Sequence, residues 1–113
     1  MKGIIPVILV TLFASGCTTT PNSLRDGGPD ETYESTRNVK EIAMCIAKNW
    51  ESKYVVVTRE LDNGMSVMSL DGGAPRYMAD VEERGDSSVT YGYYWRVISI
   101  GRDPMMATIQ HCQ

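Results

Sequence analysis

The sequence predicts an α+β domain in which an N-terminal helix, a four-stranded antiparallel meander sheet and a short C-terminal helix follow in order, with both helices on one sheet face. Three observations predict it. Val39, Ile42, Ala43, Ile46 and Trp50 recur at spacings of three and four, the period of one helix face. From Tyr54 onward the chain is dense in β-branched and aromatic residues, broken by Gly with Asp or Asn near 62–64, 71–73 and 84–87. Asp103-Pro104 then restarts a helical spacing through Met105, Ile109 and Cys112.

Two segments precede this domain. Lys2 is followed by apolar residues from Ile4 to Ala14, and the small residues Ala14, Ser15 and Gly16 stand directly before Cys17. A basic start, a short apolar run and small residues at the cut suit a signal peptidase. The run is too short to span a bilayer, which takes about 20 apolar residues. This arrangement resembles a bacterial lipoprotein signal. The resemblance implies that residues 1–16 are removed and that Cys17 becomes an acylated first residue. It further implies delivery to the outer membrane, because Thr18 stands where an Asp would retain the protein in the inner one. Residues 17–36 are rich in Thr, Ser, Pro, Gly and Asp, with Leu24 and Tyr33 as the sizeable apolar groups, so they are expected to form a flexible tether. The folded domain then occupies residues 37–113.

Asn38 with Glu41 fits a capping box and sets the start of the first helix, expected over 39–51. Residues 54–61 and 65–70 read as a hairpin around Asp62-Asn63-Gly64, whose residues tolerate positive φ. Pro75 confines the start of the third strand to an exposed position. Along it, Tyr77, Ala79 and Val81 alternate with Met78, Asp80 and Glu82, giving a core face and a mostly polar face. In the fourth strand Val89, Tyr91, Tyr93, Trp95 and Val97 share the side expected to be core, opposite Thr90, Tyr94 and Arg96. Asp103 as N-cap and Pro104 at the first helical position open the last helix.

Cys45 borders the first helix's apolar stripe, and Cys112 faces inward from the last helix. With both helices on one sheet face the two sulfurs can meet, and export to an oxidising compartment makes a Cys45–Cys112 disulfide the expected state. No Cys-x-x-Cys spacing supports a redox role. His111 is the single histidine; adjacent helical residues point about 100° apart, so it cannot pair with Cys112 as base and nucleophile. Cys45, Cys112 and His111 as metal ligands would lack a fourth partner and would forfeit the disulfide. Asp62, Asp71 and Asp86 read as turn residues, and no pair of carboxylates has the apolar setting that acid–base work needs. Arg84-Gly85-Asp86 looks like an integrin-binding tripeptide, but a hairpin turn explains it without a ligand. Neither a catalytic residue, a metal nor a cofactor is expected.

Once Lys2 leaves with the leader, ten basic residues face 14 acidic ones and the net charge is −4. That balance, with no Lys/Arg cluster, argues against nucleic-acid binding and against electrostatic adhesion to anionic lipid. Membrane attachment is left to Cys17. Tyr94 and Arg96, exposed if Tyr91, Tyr93 and Trp95 are core, are the candidate contact for a protein partner.

With the Cys17 signal, the helix motif Cys45-Ile46-Ala47-x-x-Trp50, four strands and a terminal Cys112, the chain resembles a group of small proteobacterial and prophage lipoproteins. The resemblance covers nearly all of the chain and implies a disulfide-stapled domain on a lipid tether. Gly73-Ala74-Pro75-Arg76-Tyr77 is also faintly similar to the Ser-Gly-x-x-Tyr loop of periplasmic lysozyme inhibitors. The functional expectation is a non-catalytic, outer-membrane-anchored binding module facing the periplasm, with superinfection exclusion by a prophage product as a particular version. The alternative is an inhibitor that inserts the Gly72–Tyr77 loop into a lysozyme cleft.

Overall fold

The computed structural model describes residues 20–95 and 103–113, so Cys17, Arg96 and Val97 lie outside the described residues. Three helices and five strands follow in the order α1 (Pro21–Asp26), β1 (Glu31–Ser35), α2 (Val39–Trp50), β2 (Val55–Leu61), β3 (Gly64–Asp71), β4 (Ala74–Arg84), β5 (Ser87–Tyr94) and α3 (Pro104–His111). All strand pairs are antiparallel, in the spatial order β1-β5-β4-β3-β2. The expected α+β meander is present, with one strand more than the four expected.

The extra strand comes from the segment expected to be a tether. β1 pairs with β5, Tyr33 lying opposite Thr90. The short α1 before it begins with a reciprocal capping box, in which the Thr20 and Ser23 side chains each accept from the other's backbone N–H, and Pro21 occupies the first turn. Composition hid both elements, because α1 and β1 bury few residues and are held by docking onto a sheet that forms elsewhere.

Helix α2 starts where expected and ends at Trp50, one residue short of the expected 39–51. Asn38 accepts from the Glu41 N–H at 2.8 Å, and Val39, Ile42, Ala43, Ile46, Ala47 and Trp50 are buried. They pack on Val67, Tyr77, Ala79 and Val81 of β3 and β4, together with Met105, Met106 and Ile109 of α3. Trp50 is wholly buried, and its indole N–H donates to the Met105 carbonyl at 2.9 Å. Burying such a ring keeps its polar edge satisfied only because α3 supplies that acceptor.

The expected disulfide is present. Cys45 and Cys112 are bonded with their Cα atoms 5.7 Å apart, across a sequence separation of 67. Closing so long a loop stabilises the fold by about 4 kcal/mol in the chain-entropy view. Arg37, which precedes α2, adds a hydrogen bond of 2.7 Å from its guanidinium to the Cys112 carbonyl. Cys112 at the end of α3 is thus tied both to the middle of α2 and to the segment just before it.

The expected faces of the fourth strand are inverted. Tyr77, Ala79 and Val81 on β4 lie opposite Tyr94, Gly92 and Thr90 on β5, and directly opposed residues in an antiparallel pair share a face. Thr90, Gly92 and Tyr94 therefore lie under the helices, while Val89, Tyr91 and Tyr93 lie on the other side. Gly92 makes room for α3: a Cβ there would sit 2.8 Å from Ile109 Cδ1 and 3.2 Å from Met106 Cε. Aromatic density misled because both sheet faces are covered. The second face carries Met68, Met78 and Tyr93, with Leu24 of α1 packed against them. Helices accordingly occupy both faces, α2 and α3 on one and α1 on the other, where one helix-bearing face was expected. Trp95, expected in the core, is 49% exposed.

Candidate functional site

Asp80 stands mid-strand on the α1 side and is almost wholly buried. Its carboxylate receives two hydrogen bonds from Arg25 of α1, Nε to Oδ2 at 2.8 Å and Nη2 to Oδ1 at 3.0 Å. This planar fork-to-carboxylate geometry fixes α1 on the sheet at one azimuth. The hydrogen bonds it donates to Asp80, ahead of the opposing effect of burial, hold the Arg25 guanidinium above its ordinary pKa. The pair forms one wall of a cleft of about 550 Å³ that Leu61, Glu82, Tyr91 and Tyr93 also line. Burial pushes the Tyr93 phenol up, with the Asp80 charge adding to it, so Tyr93 stays a neutral donor. An aspartate with both oxygens engaged by one guanidinium is an anchor for α1 rather than a general base. The signal that could have located this pair was Thr20-Pro21-x-Ser23, a helix start placed before Leu24 and Arg25.

On the helix side, three aromatic rings meet around Tyr77. Its ring centroid lies 6.0 Å from Trp50, 6.1 Å from Tyr54 and 6.2 Å from Tyr94, the last nearly parallel at 11°. The Tyr77 hydroxyl donates to Asp103 Oδ2 at 2.6 Å, while Asp103 Oδ1 accepts from the Met105 N–H at 2.8 Å. One carboxylate therefore caps α3 and ties it to β4. Burial, reinforced by the Asp103 hydrogen bond, pushes the Tyr77 pKa up to about 12.

These placements decide what several candidate residues can do. Tyr94 belongs to the ring cluster and is half-buried, so it is not the exposed aromatic handle expected; the neighbouring Trp95 is. Arg96 lies outside the described residues. Tyr77, the tyrosine of the inhibitor-like loop, is buried in the same cluster, and only Gly72 and Gly73, with φ of 64° and 88°, form the tip of the β3–β4 turn. Arg84, Gly85 and Asp86 form the β4–β5 turn with Gly85 at φ 61°, and the Arg84 guanidinium donates to the Tyr91 hydroxyl. His111 is exposed at the end of α3. Among the described residues no group of three His, Cys, Asp or Glu side chains is placed to hold a metal ion. Nor is any described helix long and apolar enough to cross a membrane.

The surface features left over belong to the sheet. β2 is an outermost strand, and among the described residues no element pairs with its outer edge. Its Val55 and Val57 are 68% and 37% exposed. Sequence reasoning placed this strand but not its edge position, which follows from the order of pairing. Comparison with family models, with curated proteins and with solved structures gave no match in any of the three.

Proposed function

We propose that the protein is a lipid-anchored, non-catalytic binding module of the bacterial envelope, held in the outer membrane by Cys17 and facing the periplasm. The observation that supports it is the edge of β2, on which no element pairs among the described residues. A strand edge presents alternating N–H and C=O groups that an extended partner segment can satisfy, and the run Val55-Val56-Val57-Thr58 carries neither the lysine nor the proline that commonly blocks such edges. The chemically capable side chains among the described residues support the same reading. The cysteines staple two helices, Asp80 anchors α1, and Tyr77 and Asp103 join β4 to α3.

A photo-crosslinking residue at Thr58 in growing cells is expected to give a discrete adduct with one envelope protein, while the same residue at Lys48 on the outer side of α2 gives none. No adduct at Thr58, or the same adducts from both positions, would remove the β2 edge as the contact. Superinfection exclusion is the particular version to test. Phages that use the blocked receptor should plate poorly on expressing cells, and equal plating over a broad panel would discard that version.

A further inference from the structure

The sheet face that carries α1 has an open apolar end. Antiparallel register lines up Val55 with Leu70 and Val57 with Met68, and Met68 in turn with Met78 and Met78 with Tyr93. Leu70 lies opposite Pro75. Trp95 follows Tyr94, which points to the helix side, so alternation turns Trp95 to the α1 side, and its N–H donates to the Arg76 carbonyl at 2.9 Å. The row Val57-Met68-Met78-Tyr93 is therefore apolar throughout, and the next runs through Val55, Leu70 and Pro75 to Trp95, which stands beside Arg76, itself paired with Asp71 at 3.4 Å. Leu24 covers the middle of them, and Val55, Val57 and Trp95 remain exposed.

The chain reaches this face from its anchor. α1 packs on it through Leu24 and Arg25, and Thr20 caps α1. Cys17 stands three residues before Thr20, and a fully extended chain spans at most about 3.3–3.6 Å per residue, so the acylated sulfur lies within roughly 11 Å of the Thr20 backbone, give or take its own short side chain. A domain held by so short a leash cannot turn α1 and its sheet face far from the bilayer. The net charge of −4 on the mature chain gives no attraction to anionic headgroups, so contact has to come from apolar and aromatic side chains. Tryptophan and valine beside an anchoring segment supply that chemistry, the indole sitting at the headgroup level.

We infer that the α1 side of the sheet rests on the bilayer surface, with Val55, Val57 and Trp95 entering the interface and the β2 edge left open at the membrane plane. This orientation rests on the lipoprotein reading of Cys17.

The test uses the full processed protein, purified in detergent and reconstituted into phosphatidylcholine vesicles, with and without bromine on the lipid acyl chains. Trp50 is buried in the core and serves as the internal reference. Vesicle flotation and mass spectrometry of the N-terminal peptide establish the anchor. With the anchor in place, brominated lipid should quench part of the tryptophan emission. Trp95→Phe should abolish that quenching without changing flotation, and Val55→Asp with Val57→Asp should reduce it. Acylated, floating protein whose emission bromine leaves unchanged overturns the orientation and leaves this face to a protein partner. An unmodified Cys17 overturns the anchor and the orientation together.

Discussion

At the residue scale, the clearest case of environment overriding side-chain identity is Tyr77. A free tyrosine ionises near pH 10, whereas burial first and the Asp103 hydrogen bond second push Tyr77 up to about 12. Below pH 10 the phenol is neutral in folded and unfolded chains alike, and its contribution to stability is fully present. Between pH 10 and 12 the unfolded chain releases the proton and the folded chain keeps it, so stability falls as pH rises through that window. Tyr77→Phe is expected to flatten this part of the stability–pH curve, measured by urea unfolding, and to remove a tyrosine transition near pH 12 in an ultraviolet titration. An unchanged slope would mean that the hydroxyl is not held as described. Tyr93 is raised by burial too, so a shallower slope persists in the variant.

Elements in this protein are set by their neighbours as much as by their own residues. The β2–β3 hairpin reverses through Asp62 and Asn63, and Gly64 pairs with Leu61. Glycine at 64 was expected for its tolerance of positive φ, but its role is close approach. A Cβ there would lie 1.8 Å from the Val81 carbonyl oxygen and 2.9 Å from Glu82 Cα, both backbone atoms that cannot swing aside. At Gly72 the reverse holds, with open space around the position and a φ of 64°. Gly64→Ala is therefore expected to cost about 3 kcal/mol, the upper part of the usual overpacking range. Gly72→Ala should cost about 1 kcal/mol, the penalty of a left-handed conformation. Urea midpoints of the two variants test the order, and equal losses would show that β3 can move away from β4 at the turn.

At the scale of the whole molecule, the largest departure from expectation is that residues before Asn38 are part of the fold. α1 covers Met68, Met78 and Tyr93, and β1 closes the edge of β5. A chain shortened to residues 37–113 should therefore lose several degrees of thermal stability and bind an apolar fluorescent dye. A segment acting only as a tether would be removed without either effect, and that result would show α1 and β1 to be passengers. Under the acylation of Cys17 proposed above, the same two elements would shorten the leash to the membrane and fix one side of the domain toward the lipid.

Local spacing was sufficient for α2, α3, their caps and the hairpin positions, because each depends on residues three or four apart or on turn chemistry within a few positions, while the cysteine pair, 67 residues apart, followed from the two helices sharing a sheet face. Asn38, Asp103, Trp50 and Cys112 could be placed on those grounds. Only the tertiary structure decided which side of β5 faces the helices, where α1 and β1 dock, that Tyr94 is packed and Trp95 exposed, and that Asp80 meets Arg25. The physical reason is register: antiparallel pairing with β4 forces Thr90, Gly92 and Tyr94 to the helix side whatever their hydrophobicity. An ion pair joining residues 55 positions apart leaves no mark on the spacing of either.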